Sequence, residues 1–342
     1  MHKHFAVFNG TLRMACFVFF MALLSQGCKS KTQQAVEEGK TGNPALDMVS
    51  DSIKSDPKNV NLYLHRAQIY YDNQAYDQAI GDLVRLMKID SVNLKAHHLL
   101  ADVYLDHMQS SLALQTMERA AKLYPDSIHT KLKLTEFQLI LKQYSAAMNT
   151  LADIMKIHPG DPEALFMLGM VYRDQGKTEQ AIGAFQSAVE RNPDNAEAWV
   201  ILGDLMDRTH NPLAIQYFDN AIRVAPQNVA AWHAKAYFLQ NNNRIPEALD
   251  IYKHIHTIDP QYGDAYLNAA ILLMYRDSFE SANKELDILQ KIDPTNAATW
   301  FYRGKIHQLR GEKDLAKADY EQALKLDDKY DQARDALLEL KE

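Results

Sequence analysis

Apolar residues recur along this chain at helical spacing, in short runs that come in pairs. Leu165, Leu168 and Tyr172 mark one face of a helix, and Ile182, Phe185 and Val189 mark one face of the next. Pro193 then ends the second run, because its ring cannot continue a helix. The same pair of runs returns down the chain. Aligned on the small residue of the first run, Ala67, Ala101, Thr135, Gly169, Gly203, Ala236, Ala270 and Gly304 stand 34 residues apart, with one step of 33. Twelve residues on from each, eleven in the short repeat, comes alanine: Ala79, Ala113, Ala147, Ala181, Ala214, Ala248, Ala282 and Ala316. Two helices approach closely only where neither presents a large side chain, and overpacking such a contact costs about 1–3 kcal/mol. The spacing therefore predicts eight helical hairpins, each closed by a contact between small residues.

The prolines argue the same way. Pro57, Pro125, Pro159, Pro193, Pro226, Pro260 and Pro294 fall after the second helix of each pair, and Pro44, Pro162, Pro212 and Pro246 fall at the expected first turn of a helix, where a missing N–H is harmless. The stretches NPDNAEAWVILGD (192–204) and DPTNAATWFYRGK (293–305) are the same sentence written twice, so Trp199 and Trp300 occupy one structural position in two repeats.

The pattern aromatic-x-x-Leu-Gly-x-x-Tyr, then Ala-x-x-x-Phe-x-x-Ala and Pro, resembles the tetratricopeptide repeat. Leu165, Leu168, Gly169, Tyr172, Gly176, Ala181, Phe185, Ala188 and Pro193 carry the resemblance most completely, and it recurs over residues 60–328. It implies an all-α protein, a right-handed superhelical solenoid of about eight helix-turn-helix repeats whose first helices line a concave face. Residues 44–57 then read as a truncated leading repeat helix, 58–328 as the eight repeats, and 329–342 as a capping helix with Tyr330, Ala333, Leu337 and Leu340 on one side against charge on the other.

Function in this family is usually the binding of a peptide or protein partner, with no cofactor. Its chemistry lies in side chains facing the groove. The fifth position of each first helix reads Leu64, His98, Leu132, Phe166, Val200, His233, Leu267 and Phe301, a largely apolar ladder. The ninth reads Gln68, Asp102, Glu136, Met170, Asp204, Tyr237, Ile271 and Lys305, so acids cluster in repeats two to five. Family members that grip a C-terminal carboxylate use lysine and asparagine at such positions, and this chain lacks that clamp. The expected partner is an apolar or helical segment with basic residues. The same ladder is equally open to a structural reading, in which its apolar members pack neighbouring helices and its acids are solvated surface.

Charge narrows the partners further. The 342 residues carry a formal net charge of −7 with no run of lysine or arginine, which excludes a groove that tracks phosphates and hence nucleic acid. No H-E-x-x-H, G-x-S-x-G or G-x-x-x-x-G-K-[ST] occurs, so the commonest signatures of helical zinc sites, serine hydrolases and phosphate loops are missing. Enzymatic function is the weaker class. His98 and His129 stand where neighbouring repeats would bring them together, but no third metal ligand is in view.

The first 28 residues follow a different rule. Lys3 and Arg13 precede an uncharged run from Met14 to Leu24, too short at ~16 Å to cross a hydrocarbon core of ~30 Å. This is the layout of an export signal over residues 1–27. SQGC, followed by polar KSKTQQ, resembles the lipobox of bacterial lipoproteins, with Ser25 where leucine is usual. The resemblance implies cleavage before Cys28 and lipidation of its sulfur and new N-terminus, hence membrane attachment. Lys29 at the next position implies the outer membrane of the bacterial envelope. A plain secretory signal cut near Gly27 is the alternative. Losing Lys3 and Arg13 from 37 basic residues against 44 acidic ones leaves a processed chain near −9, and residues 28–43 read as a flexible linker. Two uses of such a chain stay open: a receptor whose groove takes one segment, and a structural component of an envelope assembly or secretion complex that uses several surfaces.

Overall fold

A computed structural model describes residues 42–340. The signal, Cys28 and most of the linker lie outside the described residues. The described residues are helical, with no strand among them, and fall into two compact units divided after Ser91.

The first unit holds α1 (Pro44–Ser55), α2 (Val60–Asp72) and α3 (Tyr76–Ile89). Its hairpin, α2 with α3, is tied inside by a fork in which Arg66 donates from Nε and Nη2 to the Asp82 carboxylate at 2.6 and 2.7 Å, and by Arg66 Nη1 donating to Ser50 Oγ of α1 at 3.0 Å.

The second unit holds seven more hairpins: α4 (Leu94–Asp106) with α5 (Ser110–Leu123), α6 (Ile128–Ile140) with α7 (Tyr144–Ile157), α8 (Pro162–Asp174) with α9 (Thr178–Arg191), and α10 (Ala196–Arg208) with α11 (Ala214–Val224). These are followed by α12 (Val229–Asn241) with α13 (Ile245–Ile258), α14 (Gly263–Met274) with α15 (Phe279–Ile292), and α16 (Ala297–Leu309) with α17 (Lys313–Leu326). A single helix, α18 (Asp331–Glu339), closes the unit, burying Ala333 and Ala336 against the last hairpin.

Both ends of the first helices are written into the sequence. Asn59, Asn93, Ser127, Asp161, Asn195, Asn228 and Asn296 each accept a bond from a backbone N–H of the first turn through the side chain, a cap worth about 1 kcal/mol. At the other end one residue turns left-handed in all eight hairpins: Gln74, Met108, Lys142, Gly176, His210, Asn243, Asp277 and Gly311, with φ between 56° and 77°. The next N–H then reaches back across the turn, as Ala75 to Tyr70 O at 2.8 Å and Glu312 to His307 O at 2.9 Å, which closes the last carbonyls of the helix. Only two of the eight are glycine. The other six hold a conformation that a Cβ disfavours.

All eight aligned alanines of the second helices are fully buried. The close approach itself differs from the expectation of small residue against small residue. A Cβ at Gly169 would lie 2.7 Å from the Phe185 ring, at Gly203 2.5 Å from Phe218, and at Gly304 2.8 Å from Tyr320. Glycine thus admits an aromatic ring from sixteen or fifteen residues on. Where the first helix has Ala67, Ala101, Thr135 or Ala270, the residue at that distance is Leu83, Met117, Leu151 or Leu286. Ala236 with Tyr252 departs from this exchange of volume.

Pro212 also departs from expectation. It lies in a turn and not in a helix, and α11 starts only at Ala214, with 11 residues against 14 in each of the other second helices. The repeat of 33 absorbs its missing residue in this turn, where Ala214 N bonds to Asn211 O and Gln216 N to Leu213 O, each three residues back.

Glycine exchange tests the ring contact. A Cβ at Gly183 meets nothing within 4 Å, so Gly183→Ala is expected to gain about 1 kcal/mol of helix propensity. Gly203→Ala carries the same gain and is nonetheless expected to lower stability, because overpacking against Phe218 costs about 1–3 kcal/mol. Urea denaturation of both variants reads the contrast. In the same assay Lys142→Gly is expected to stabilise by about 0.5–1 kcal/mol, the left-handed penalty less the entropy of the unfolded glycine.

Candidate functional site

The first helices of the second unit, α4 to α16, carry the fifth- and ninth-position residues. In α4, Asp102 is not a free acid: Lys133 of α6 reaches it at 2.8 Å. Burial raises the Asp102 carboxyl above its ordinary value, with the Lys133 bond working against the rise. One turn earlier His98 Nε2 lies 3.2 Å from Thr130 Oγ1, its ring 5.5 Å from that of His129. Burial first, then Lys133, His129 and His97, brings His98 down to about 4, so it is neutral at pH 7. The two histidines do meet, but among the described residues no three of His, Cys, Asp or Glu group closely enough to hold a metal ion. Leu132 is buried and Glu136 is exposed.

In the middle of the unit the apolar ladder turns inward. Phe166 meets Phe185 edge-on at 5.5 Å, and with Met170 it packs on the core around Phe185, Ile201 and Leu202. Val200 packs on the next core, around Phe218 and Tyr252. Asp204, one turn beyond Val200, is partly buried. Burial lifts its carboxyl to about 6, opposed by Arg208 and Arg173 and reinforced by Asp207, and it has no ion pair or hydrogen bond to its side chain among the described residues.

Two tyrosines reshape the C-terminal part. Tyr262 and Tyr330 stand where the first helices have their Asn, Ser or Asp cap, and neither caps through its side chain. Tyr262 instead meets the His233 ring edge-on at 5.5 Å, and Tyr330 covers Phe301 at 5.3 Å. His233 is also held by Asn268, whose Nδ2 donates to Nε2 at 3.0 Å, and burial lowers its pKa, so the ring is neutral. Leu132, His233 and Phe301 are therefore framework side chains, each at most 8% exposed. Leu267 and Ile271 are partly buried, as is Lys305. In the first unit Leu64 is partly buried, and Gln68 is exposed and donates to Asp72 at 2.8 Å.

What this face leaves open is Tyr237, 47% exposed, and Ile140 at 41%, together with Tyr275 at 76% and Leu309 at 54%. The last two sit at the thirteenth position, which the sequence reading passed over. The signal was present: repeats two and four carry Asp106 and Asp174 there.

Elsewhere in the unit, Arg303 forks onto Asp319 at 3.0 and 2.8 Å, at the positions that Arg66 and Asp82 hold in the first repeat. Trp300 shares the position of Trp199 but not its bond. Trp199 Nε1 donates to Pro193 O at 2.7 Å, while Trp300 Nε1 is buried with no partner among the described residues, its ring under Arg303 at 4.1 Å. In repeat seven Glu285 takes the place of Asp319, but Ala269 takes the place of the arginine. Glu285 Oε2 lies 3.9 Å from His256 Nε2, and burial raises the acid and lowers the imidazole.

Residues 166–208, 217–250 and 297–330 match family models of the tetratricopeptide repeat. The chain carries tetratricopeptide repeats, which commonly mediate protein–protein interaction. Among curated proteins it is 27% identical over 153 residues to a DnaJ homolog subfamily C member 7 homolog of Dictyostelium discoideum, covering 40% of this chain and 28% of that protein. It is 25% identical over 186 residues to the mitochondrial import receptor subunit TOM70 of Homo sapiens, covering 51% and 30%. These matches span less than a third of either relative's own length. Among solved structures, a tetratricopeptide repeat protein from Parabacteroides merdae ATCC 43184 is similar at 18% identity with a TM-score of 0.51, covering 73% of this chain and 99% of that one. The hetero-tetramer Cut9-Hcn1 of APC/C is similar at 15% identity with a TM-score of 0.52, covering 91% and 60%. At these identities the likeness is one of fold.

Asp204 yields a pH-dependent prediction. Its folded-state pKa lies above that of the unfolded chain, so the carboxylate costs stability that is absent below about pH 4 and builds as pH rises through 6. Asp204→Asn is expected to stabilise at pH 8 by about 2 kcal/mol or less and to change nothing at pH 3.5. Urea midpoints at the two pH values measure it, and an equal shift at both would assign the effect to packing.

Proposed function

We propose that this protein is a non-enzymatic receptor held at the bacterial envelope: a lipid on Cys28 anchors it at the outer membrane, and the first-helix face of its repeats binds a segment of a protein partner. The observation that carries the binding half is the exposure of Tyr237, Tyr275 and Leu309 on that face, since large apolar side chains left open in series mark an interaction site. The acids beside them suit a segment that combines apolar with basic residues. That one relative is an import receptor subunit agrees with partner capture. Two or more acyl chains on Cys28 would hold the protein stably where one would not.

A second reading, a structural component of an envelope assembly, is favoured by Leu112 and Leu315, which are 43% and 53% exposed at one shared position of the second helices.

Photo-crosslinking in cells separates the two. A crosslinker at Tyr275 is expected to capture one protein that the same group at Leu315 does not, with the capture lost when Tyr237→Ser is added. Capture from both positions would favour the assembly, and capture from neither would overturn the binding half. Metabolic labelling with palmitate is expected to vanish in Cys28→Ser, and labelling that persists would remove the anchor.

A further inference from the structure

The strongest lead is an acid that lacks the partner an equivalent acid has. Asp102 and Asp204 both stand at the ninth position of a first helix. Asp102 is closed by Lys133 Nζ at 2.8 Å, and Lys133 is the sixth residue of the next first helix. Counted the same way, the sixth residue of the helix that follows Asp204 is Ala234 in α12. The nearest lysine on that helix, Lys235, is turned to Asp219 at 2.6 Å. Arg173 of α8 is bonded to its neighbour Asp174 at 3.1 Å. Arg208, one turn on in α10, acts on Asp204 through its charge but makes no ion pair with it, so Asp204 is left partly buried with no ion pair among the described residues. A carboxylate so placed is a liability to the fold, because desolvation of a charge is offset only by a well-placed opposite charge.

Just beyond Asp204 the character of the face changes. First-helix positions two, nine, twelve and thirteen of repeats four and five carry Glu163, Asp174, Glu197, Asp204 and Asp207 against Arg173 and Arg208. From repeat six on, the same face offers Tyr237, Tyr275 and Leu309 to solvent.

We infer that Asp204 is the acceptor for a lysine or arginine of the bound partner segment, which supplies from outside the cation that Lys133 supplies to Asp102 from within. The segment is bipartite: its cationic part lies over α8 and α10, and its aliphatic or aromatic part over α12, α14 and α16. This rests on the groove reading proposed above and adds to it the chemistry and order of the ligand. The internal pair Asp102–Lys133 is the template for the geometry, with a charge-assisted bond near 2.8 Å. Burial raises the Asp204 carboxyl, and a partner cation would bring it down.

Selection of a random twelve-residue peptide library on the full-length protein provides the probe, and fluorescence anisotropy of one enriched peptide provides the readout. Enriched peptides are expected to carry Lys or Arg toward one end and Leu, Phe, Tyr or Trp toward the other. Asp204→Asn is expected to weaken binding tenfold or more. Replacing the peptide's cation by glutamine should cost the same on the native protein and nothing further on Asp204→Asn. Tyr275→Ala reads the groove independently. Binding that falls with Tyr275→Ala but is indifferent to Asp204→Asn would overturn the role of Asp204 and leave the groove standing. Binding indifferent to both, or a library that enriches nothing, would overturn both.

Discussion

The architecture depends on how near the two helices of a hairpin can come. A ring from the second helix lies against the backbone of the first where Gly169, Gly203 and Gly304 have no Cβ, and elsewhere alanine or threonine stands opposite leucine or methionine, with Tyr252 opposite Ala236 the exception. The contact is a trade of volume between two positions sixteen residues apart, and close packing enforces it. Everything else in a repeat follows from that distance. The alanine of the second helix must be small, the left-handed turn must bring the chain back at once, and the proline must release it toward the next hairpin.

That frame was legible because it repeats within each 34-residue unit: eight small residues, eight alanines and seven prolines in register leave little freedom. What escaped lay between repeats or between positions the pattern treats alike. Nothing local says that Asp102 is paired, since Lys133 is 31 residues away in the next first helix. Nothing at His233 or Phe301 says that a tyrosine at the following turn will cover it, because Tyr262 and Tyr330 replace a cap whose loss is visible only at their own positions. The pattern puts Pro212 at the first turn of a helix because the other prolines of its kind begin one, and the short repeat moves it into a turn.

The face of the first helices accordingly divides into side chains that hold the frame and side chains that do not. Leu132, His233 and Phe301 are buried, Phe166, Met170 and Val200 lean on cores, and Asp102 is closed by its lysine. Asp204 and the exposed Tyr237, Tyr275 and Leu309 contribute little to that frame, and Asp204 works against it. Local conflict with stability, set in an otherwise consistent repeat, is where function is to be sought.

The short helix α11 has a mechanical consequence. Hairpins in a linear array each lean only on their neighbours, so a load along the chain is borne in series and the array yields at its weakest link. With 11 residues and a tightened first turn, α11 is the shortest of the second helices. Asp204 lies on the helix before it and Tyr237 on the helix after it. A segment bound to both would span that turn from outside, as a splint spans a joint, and couple the hairpins on either side of it.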